Sequence, residues 1–198
     1  MKTKLGIYGG TYAPVHNGHV GAALEFKRQF CLNKLLIIPA NLPPHKDMPK
    51  GDTPLHRLNM LRLAFEEYEN IEISTYELDK EGKSYSVETL RHFSSSDTEL
   101  YFLCGTDMLL CMHQWYRVEE IAKLATLVYT RRESDRELDD DIEAQIKALK
   151  SDYGFRIEEL KMKPLELSST LIRNASDKTP YLPKTVARYI EEKHLYVQ

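Results

Sequence analysis

The sequence predicts an α/β protein with a Rossmann-like, doubly wound parallel sheet, helices on both faces and a small helical C-terminal part. Apolar, β-prone runs alternate with helical patterns from the first residues onward, which is the order of a parallel sheet. Two runs, 35–38 and 100–104, are apolar at every position, as is typical of strands covered on both faces. The 198 residues suffice for a single domain over 1–198, whose C-terminal part begins at about residue 165.

The first half of the chain alternates strands and helices. We predict strands at 5–8, 35–38 and 71–78, and helices at 17–30, from 54 onward and at 85–93. The first two strands are short apolar runs, and the third alternates apolar and polar residues. Thr53 followed by Pro54 is a typical helix start. The stretch 41–53 is rich in proline and glycine, which indicates a long loop.

The second half continues the alternation. We predict strands at 100–104, 126–129 and 155–160, and helices at 106–125, 142–150, from 168 or 169 onward and at 184–193. The stretch 133–141 is strongly charged and is predicted to be an exposed loop. Ligands of such sheets bind beyond the carboxyl ends of the strands. The expected site is therefore formed by the turns after Tyr8, Ile38, Cys104 and Tyr129.

Composition and charge exclude several classes of protein. Hydrophobic residues make up 42% of the chain and charged residues 29%, which is ordinary for a globular protein. A net charge of −3 argues against a partner that is a nucleic-acid polymer. The three cysteines are scattered without CxxC spacing, as reduced thiols are. With no leader and no apolar run near the roughly 20 residues of a membrane span, we expect a cytoplasmic protein without a membrane partner. The sequence does not determine whether the protein forms a homo-oligomer.

The turn between the first strand and its helix carries the clearest chemical signal. Its residues are Gly9, Gly10, Thr11, Pro14, His16, Gly18 and His19. The glycines allow the backbone to approach a ligand closely, and the helix start offers unpaired N–H groups and a positive dipole end. His16 and His19 are three residues apart, so both side chains can face one anion. The turn therefore predicts a phosphate site, although a lone histidine here would indicate a helix cap.

Other kinds of site lack their signatures. No GxGxxG follows the first strand, which removes the main support for a dinucleotide-binding oxidoreductase. GxxxxGKS and GxxxxGKT are also absent, which excludes a P-loop. A metal site at the two histidines would need further ligands, and no HExxH or cysteine cluster accompanies them. We therefore predict no protein metal ligands.

Later segments at the same edge of the sheet each have an ordinary structural interpretation. Lys46 ends a Pro-Pro-His-Lys loop that is typical of a solvated turn, and Ser86 lies at the start of an amphipathic helix. Asp107 follows a buried strand, where it is either a helix cap or a carboxylate for a ribose. Trp115 is the only tryptophan, and a single tryptophan is more often core than ligand contact. Arg131 alone would be a surface charge.

Ser168-Ser169-Thr170, with Arg173 one turn later, is the second candidate phosphate site. Hydroxyls and N–H groups at a helix start suit an oligophosphate, and the guanidinium adds charge. The segment alone is weak support, because serine and threonine cap many helices. Its value comes from its combination with the turn that contains His16 and His19.

These segments together resemble the HxGH nucleotidyltransferase superfamily and, within it, the nicotinate mononucleotide adenylyltransferase family. Gly-Gly-Thr-x-x-Pro-x-His-x-Gly-His is similar to the superfamily signature, and 167–173 resembles its second phosphate-binding helix. The similar segments run in order from Gly9 to Arg173. The chain departs from the family at Ser86 and Glu88, where the family usually has threonine and aspartate. Arg132 stands where the family usually has proline, so either Arg131 or Arg132 could face the site.

The resemblance implies an enzyme of NAD biosynthesis that joins ATP and nicotinate mononucleotide, giving deamido-NAD and pyrophosphate, with Mg²⁺ accompanying ATP. The implied catalytic residues are His16, His19 and Lys46. The implied ATP-binding residues are Gly9, Gly10, Thr11, Gly18, Asp107, Ser168, Thr170 and Arg173. The implied residues for nicotinate mononucleotide are Ser86, Trp115, Tyr116 and Arg131.

Two alternative functions stay open. The acceptor could instead be nicotinamide mononucleotide or phosphopantetheine, or the reaction could be a cytidylyl transfer within the same superfamily. The chain could also be a non-catalytic nucleotide-sensing module, because a fold alone does not fix a function. The separate roles of His16 and His19 also stay open.

Overall fold

The central feature of the structure is a parallel β-sheet. The computed structural model describes residues 2–42, 49, 51–131, 138–163 and 167–197. The strands of this part are β1 (Thr3–Gly10), β2 (Lys34–Pro39), β3 (Ile71–Ile73), β4 (Thr98–Gly105), β5 (Ala125–Thr130) and β6 (Ile157–Leu160). They form a six-stranded sheet in the order β3-β2-β1-β4-β5-β6, with every neighbouring pair parallel. This order confirms the predicted doubly wound class and places its switch point between β1 and β4.

Helices connect the strands and cover both faces of the sheet. They are α1 (Asn17–Gln29), α2 (Pro54–Phe65), α3 (Ser86–Phe93), α4 (Thr106–Cys111), α5 (Val118–Leu124), α6 (Asp139–Tyr153), α7 (Ser169–Asn174) and α8 (Lys184–Glu192). Short 3₁₀ turns lie at Met112–Gln114 and Thr179–Tyr181. Across the described residues, every helix is too short or too polar to cross a membrane.

Alternate residues of the central strands β1, β2, β4 and β5 pack into two separate apolar clusters, one on each face of the sheet. Leu35 and Ile37 face the cluster that includes residues of α1, α2, α7 and α8. Leu36 and Ile38 face the other cluster, which includes residues of α3, α4, α5 and α6. This two-residue period explains why the run 35–38 is apolar throughout, since both faces of β2 are buried.

Strand β3 is shorter than the predicted strand over 71–78. The Ser74 N–H donates to the Ile37 carbonyl at 3.0 Å, which is the last bond of this ladder. The next donor from β2 would be Pro39, which has no N–H, so pairing stops there. The chain turns instead, and the Thr75 hydroxyl donates to the Asp79 carboxylate at 2.7 Å.

Two helix boundaries also differ from the prediction. The helix expected over 106–125 is divided into α4, a 3₁₀ turn and α5. Arg117 has a φ of 56°, in the left-handed region, which interrupts helical hydrogen bonding and leaves Trp115 and Tyr116 between two helices. Helix α6 begins at Asp139, inside the predicted charged loop, because the aspartates of its first turn favour the positive end of the helix dipole.

Candidate active site

The start of α1 is built around reciprocal hydrogen bonds between two histidines. Nδ1 of His16, the N-cap residue, accepts from the His19 N–H at 3.3 Å. Nδ1 of His19 accepts in turn from the His16 N–H at 3.3 Å. The two rings stack with centroids 3.7 Å apart and planes 27° from parallel. Each imidazole therefore accepts from a backbone N–H at the helix start, and the His19 N–H also donates to the His16 carbonyl at 2.9 Å.

This arrangement bears on the tautomer of each ring. A neutral imidazole carries its proton on one nitrogen only, and the nitrogen that accepts a hydrogen bond is the unprotonated one. Because Nδ1 accepts in both rings, the Nε2 atoms of His16 and His19 carry the protons. The pair thus offers two N–H donors without requiring either ring to be charged.

Both histidines line a cavity of about 150 Å³ at the carboxyl ends of β1 and β4. This phosphate cavity, as we call it, brings together two of the implied catalytic residues, His16 and His19, and most of the implied ATP-binding residues: Gly9, Gly10, Thr11, Ser168, Thr170 and Arg173. No carboxylate belongs to its described lining. Donors and one guanidinium therefore dominate the cavity, which suits a polyanion.

Helix α7 is held against the turn that follows β1. Nη1 of Arg173 donates to the Ala13 carbonyl at 2.6 Å, and its Nη2 donates to the Thr170 hydroxyl at 3.0 Å. The Ser169 hydroxyl donates to the Pro14 carbonyl at 3.0 Å. Ser168 caps α7 by accepting from the Leu171 N–H at 3.1 Å. These bonds bring the starts of α1 and α7 to the same cavity.

Tyr12, which the sequence did not single out, supports both the turn and His19. Its φ is 55°, an uncommon conformation for a bulky residue, and its side chain is buried. The hydroxyl donates to the Tyr8 carbonyl at 2.7 Å, and burial raises the pKa of Tyr12, so the phenol stays protonated. Its ring meets His19 edge-on at 5.0 Å. A Cβ atom at position 10 would lie 3.0 Å from this ring, so the close approach of Tyr12 favours glycine at that position.

A larger cavity of about 390 Å³ lies on the other side of the same glycines. This acceptor cavity, as we call it, includes three residues that the sequence assigned to nicotinate mononucleotide: Ser86, Trp115 and Tyr116. Trp115 packs edge-on against Phe102, with ring centroids 6.1 Å apart. Its indole Nε1 is buried and has no hydrogen-bond partner within the described part of the chain, so it is a donor that a ligand could use.

The two cavities share Gly9, Gly10 and Thr11 of the turn after β1, together with Met108 of α4. A ligand in the acceptor cavity and a ligand in the phosphate cavity would therefore meet at the turn after β1. This turn lies at the switch point of the sheet, where doubly wound proteins bind their ligands. The shared wall is the geometric basis for a reaction between two bound molecules.

Several predicted residues lie elsewhere. Arg131 and Gly18 line a small pocket beside His16 and His19 instead of the acceptor cavity, and Arg131 forms an ion pair with Asp139. Asp107 is exposed in the first turn of α4 and does not belong to the described lining of either cavity. Lys46 and Arg132 lie outside the described residues.

Two charged residues of the acceptor cavity had not been singled out. Glu77 is buried, accepts from the Thr89 hydroxyl at 2.6 Å, and has its pKa raised by burial. Lys83 is exposed and lines the same cavity. Its backbone forms a parallel bridge with Leu42 beyond the end of β2. Both contacts join segments distant in sequence, so no local pattern marks them.

Comparison with known proteins identifies relatives along the whole chain. A family model described as cytidylyltransferase-like matches residues 7–175. A probable nicotinate-nucleotide adenylyltransferase of Clostridium botulinum (strain Eklund 17B / Type B) is 37% identical over 197 residues, with 98% of each chain covered. One from Listeria monocytogenes serotype 4a (strain HCC23) is 35% identical over 199 residues, covering 99% of this chain and 98% of the relative.

Solved structures show the same fold. The Plasmodium falciparum nicotinic acid mononucleotide adenylyltransferase complexed with APC has a TM-score of 0.74 and 15% identity, covering 98% of this chain and 97% of that one. The complex of the Plasmodium enzyme with NaAD has a TM-score of 0.71 and 17% identity, with the same coverage. At this level of identity the similarity concerns the fold alone.

Glu77 provides a test of the electrostatics of the acceptor cavity. Its folded pKa is raised, so the folded protein binds this proton more tightly than the unfolded chain. The resulting stability is present below the ordinary glutamate pKa of 4.5 and is lost as the pH rises through the folded pKa. We expect Glu77→Gln, which keeps an acceptor for Thr89, to be more stable than wild type at pH 7 and equally stable in acid.

Urea denaturation across this pH range measures the effect. The exposed Glu69 gives a matched control, because Glu69→Gln should retain the pH dependence of the wild type. A constant offset between Glu77→Gln and wild type at every pH would contradict the assignment of burial as the dominant influence on Glu77.

Proposed function

Because the chain belongs to the cytidylyltransferase-like family and, within it, to the nicotinate-nucleotide adenylyltransferases, we propose that it transfers the adenylyl group of ATP to nicotinate mononucleotide. A phosphate oxygen of the mononucleotide attacks the α-phosphorus of ATP. The bond between the α-phosphorus and the bridging oxygen to the β-phosphorus breaks, and pyrophosphate leaves. The product is deamido-NAD, and the reaction is a step of NAD biosynthesis.

The single observation that carries this proposal is the wall shared by the two cavities. The acceptor cavity is lined by the aromatic rings of Trp115 and Tyr116, which can pack against a pyridine ring. The phosphate cavity has imidazole, hydroxyl and guanidinium donors, which suit a triphosphate. A mononucleotide and ATP bound in these positions would present their phosphates to each other at Gly9, Gly10 and Thr11.

No protein nucleophile is needed for this transfer. Phosphoryl-type transfers are accelerated chiefly by positioning and by stabilising charge on the phosphate oxygens. In our proposal the Nε2–H groups of His16 and His19 donate to oxygens of the reacting phosphates. Arg173 and the hydroxyls at the start of α7 hold the part of the triphosphate that departs as pyrophosphate.

We also propose roles for four further residues that the sequence predicted. We propose that Lys46, which lies outside the described residues, adds positive charge near the phosphates. Asp107 is proposed to accept hydrogen bonds from the ribose of ATP, and Ser86 to orient the mononucleotide. Arg131 lies beside the histidines, which supports a contact with phosphate better than one with the pyridine ring.

Mg²⁺ bound to ATP fits the donor set of the site. Among the described residues no three His, Cys, Asp or Glu side chains are grouped as a metal site. Mg²⁺ commonly keeps several waters and binds substrate phosphates with few protein ligands. The ion would neutralise charge on the ATP oxygens. His16, His19 and Arg173 would hold it indirectly, through the phosphates that they bind.

The principal alternative is a nucleotide sensor that binds ATP without turnover. The two alternatives differ in a calorimetric and kinetic comparison on the same preparation. A sensor would bind MgATP and release no pyrophosphate with nicotinate mononucleotide, nicotinamide mononucleotide or phosphopantetheine as acceptor. The identity of the acceptor that is consumed also distinguishes between the activities of the superfamily.

The histidines can be tested without disturbing the helix that they cap. Asparagine is a preferred N-cap residue, and glutamine is a regular partner at the third helical position. We expect His16→Asn and His19→Gln to keep the free energy of unfolding within about 1 kcal/mol of wild type. Each should lower kcat by roughly 10²–10³, the cost of losing one donor to developing charge.

Pyrophosphate release under saturating MgATP and nicotinate mononucleotide measures this, and thermal unfolding monitors the fold. His19→Ala removes both the cap and the donor, so it should lose rate and stability together. Near wild-type rates in His16→Asn and His19→Gln would show that the histidines only cap α1.

A basic side chain in the acceptor cavity bears on the choice of acceptor. The described lining contains one ammonium group, that of Lys83, and one carboxyl group, that of the buried Glu77, which accepts from the Thr89 hydroxyl. The segment of Lys83 is fixed, since the Ser84 N–H donates to the Leu42 carbonyl at 3.1 Å and the Ser84 hydroxyl accepts from the Asn41 N–H at 3.0 Å. We propose that Lys83 favours nicotinate over nicotinamide mononucleotide by attracting the carboxylate.

Lys83→Gln tests this preference. An exposed ion pair contributes under about 1 kcal/mol, so kcat/KM for nicotinate mononucleotide should fall by about threefold. The value for nicotinamide mononucleotide should stay unchanged. Lys80→Gln is the control, because Lys80 pairs with Glu88 and does not line the acceptor cavity in the described structure. An equal fall for both acceptors would place Lys83 at their common phosphate and contradict the carboxylate role.

A further inference from the structure

Arg57 is a buried arginine to which the proposed function gives no role. It lies in the first turn of α2, and only 1% of its surface is exposed. Arginine is rarely buried to this extent unless its charge and its donors are satisfied. Its partners therefore indicate what the side chain does.

The guanidinium joins the ends of two neighbouring strands. Nη1 donates to the Thr11 carbonyl at 3.1 Å and to the Ala40 carbonyl at 2.5 Å, and Nη2 donates to the Asn41 carbonyl at 3.2 Å. Thr11 follows β1, and Ala40 and Asn41 follow β2. The sheet ladder ends just before them, with the Ala40 N–H donating to the Gly10 carbonyl at 2.9 Å. Arg57 thus continues the connection between β1 and β2 beyond their last backbone bond.

The segments that Arg57 joins form part of the reaction site. Thr11 and Ala40 line the acceptor cavity, and Thr11 also lines the phosphate cavity. The shared lining where the two nucleotides would meet is therefore held by hydrogen bonds from the planar guanidinium of Arg57. A lysine could not do this, since its single ammonium lacks the rigid fork that reaches several acceptors at once.

The counter-charge of Arg57 comes from Asp52. An oxygen of the buried Asp52 carboxylate lies 3.9 Å from Nε of Arg57, which is an ion-pair distance, and neither Nε nor the carboxylate oxygens have a hydrogen-bond partner among the described residues. Burial raises the pKa of Asp52 and lowers the pKa of Arg57, so desolvation outweighs the attraction between them. A buried pair of this kind contributes little net stability, which favours a role in geometry.

We propose that Arg57 is a positioning residue for the reaction, whose fork fixes the carbonyls of Thr11 and Ala40 and with them the junction of the two cavities. The proposal rests on the proposed adenylyl transfer. Asp52 supplies a counter-charge to the guanidinium at ion-pair distance.

Arg57→Lys is the test, because it keeps the charge and most of the side-chain volume. With MgATP and nicotinate mononucleotide, we expect KM for the mononucleotide to rise and kcat to fall, each by about tenfold, since small misplacements of reacting groups are costly. KM for ATP should change by less than about threefold, because the donors of α7 are untouched. Measurements well below the melting temperature separate this pattern from a loss of folded protein.

Arg62→Lys on the exposed side of α2 is the matched control and should leave all three constants unchanged. A folded Arg57→Lys variant with wild-type KM and kcat would overturn the proposal, as would equal rises of KM for both substrates. If the wild-type protein does not convert nicotinate mononucleotide at all, the proposed function fails instead, which the same assay shows.

Asp52→Asn provides a second test if Arg57→Lys does not fold. It keeps the guanidinium and removes its counter-charge, which leaves a buried charge uncompensated. We therefore expect a lower melting temperature together with the same selective rise of KM for the mononucleotide, by about threefold. A folded Asp52→Asn variant with wild-type constants for both substrates would then overturn the proposal.

Discussion

The whole site depends on how the carbonyl groups of the turn after β1 are held. A phosphate site needs N–H groups directed at the ligand, so the carbonyls must find donors elsewhere. The Tyr12 hydroxyl within the turn serves Tyr8. The other donors come from distant parts of the chain: the Ala40 N–H for Gly10, Arg57 for Thr11, Arg173 for Ala13 and Ser169 for Pro14. Each bond keeps a carbonyl away from the phosphates, and together they attach α2, α7 and β2 to a single turn.

In the proposed function the two histidines have both a structural role and a catalytic role. Each uses Nδ1 to accept from a backbone N–H at the helix start, and in the proposed function each Nε2–H donates to a phosphate. The structural and the functional interpretations of this pair are therefore compatible, since one nitrogen serves each purpose. Variants that keep the cap and remove only the second nitrogen separate the two contributions, which a change to alanine does not.

The sequence predicted those features that depend on neighbouring residues. The strands follow from apolar runs that stay apolar because both faces are covered, and the phosphate cavity follows from two short segments with helix starts. What it missed depends on contacts over long distances, such as the bond from Arg57 to a carbonyl 46 residues away. One local signal existed: Arg57 shares a helix face with Met60, Leu61 and Ala64, all buried, so a charge interrupts an apolar stripe. The cytoplasmic localisation and the oligomeric state stay predictions.

In the proposed reaction, ATP and nicotinate mononucleotide react directly with each other across the turn after β1. The most direct measurement follows ATP labelled at the α-phosphorus, with the purified protein and Mg²⁺, in the presence and absence of nicotinate mononucleotide. We expect the label to appear in deamido-NAD in equal amount to the pyrophosphate released, and only when the mononucleotide is present. Label bound to the protein, pyrophosphate released without the mononucleotide, or no labelled dinucleotide would contradict it.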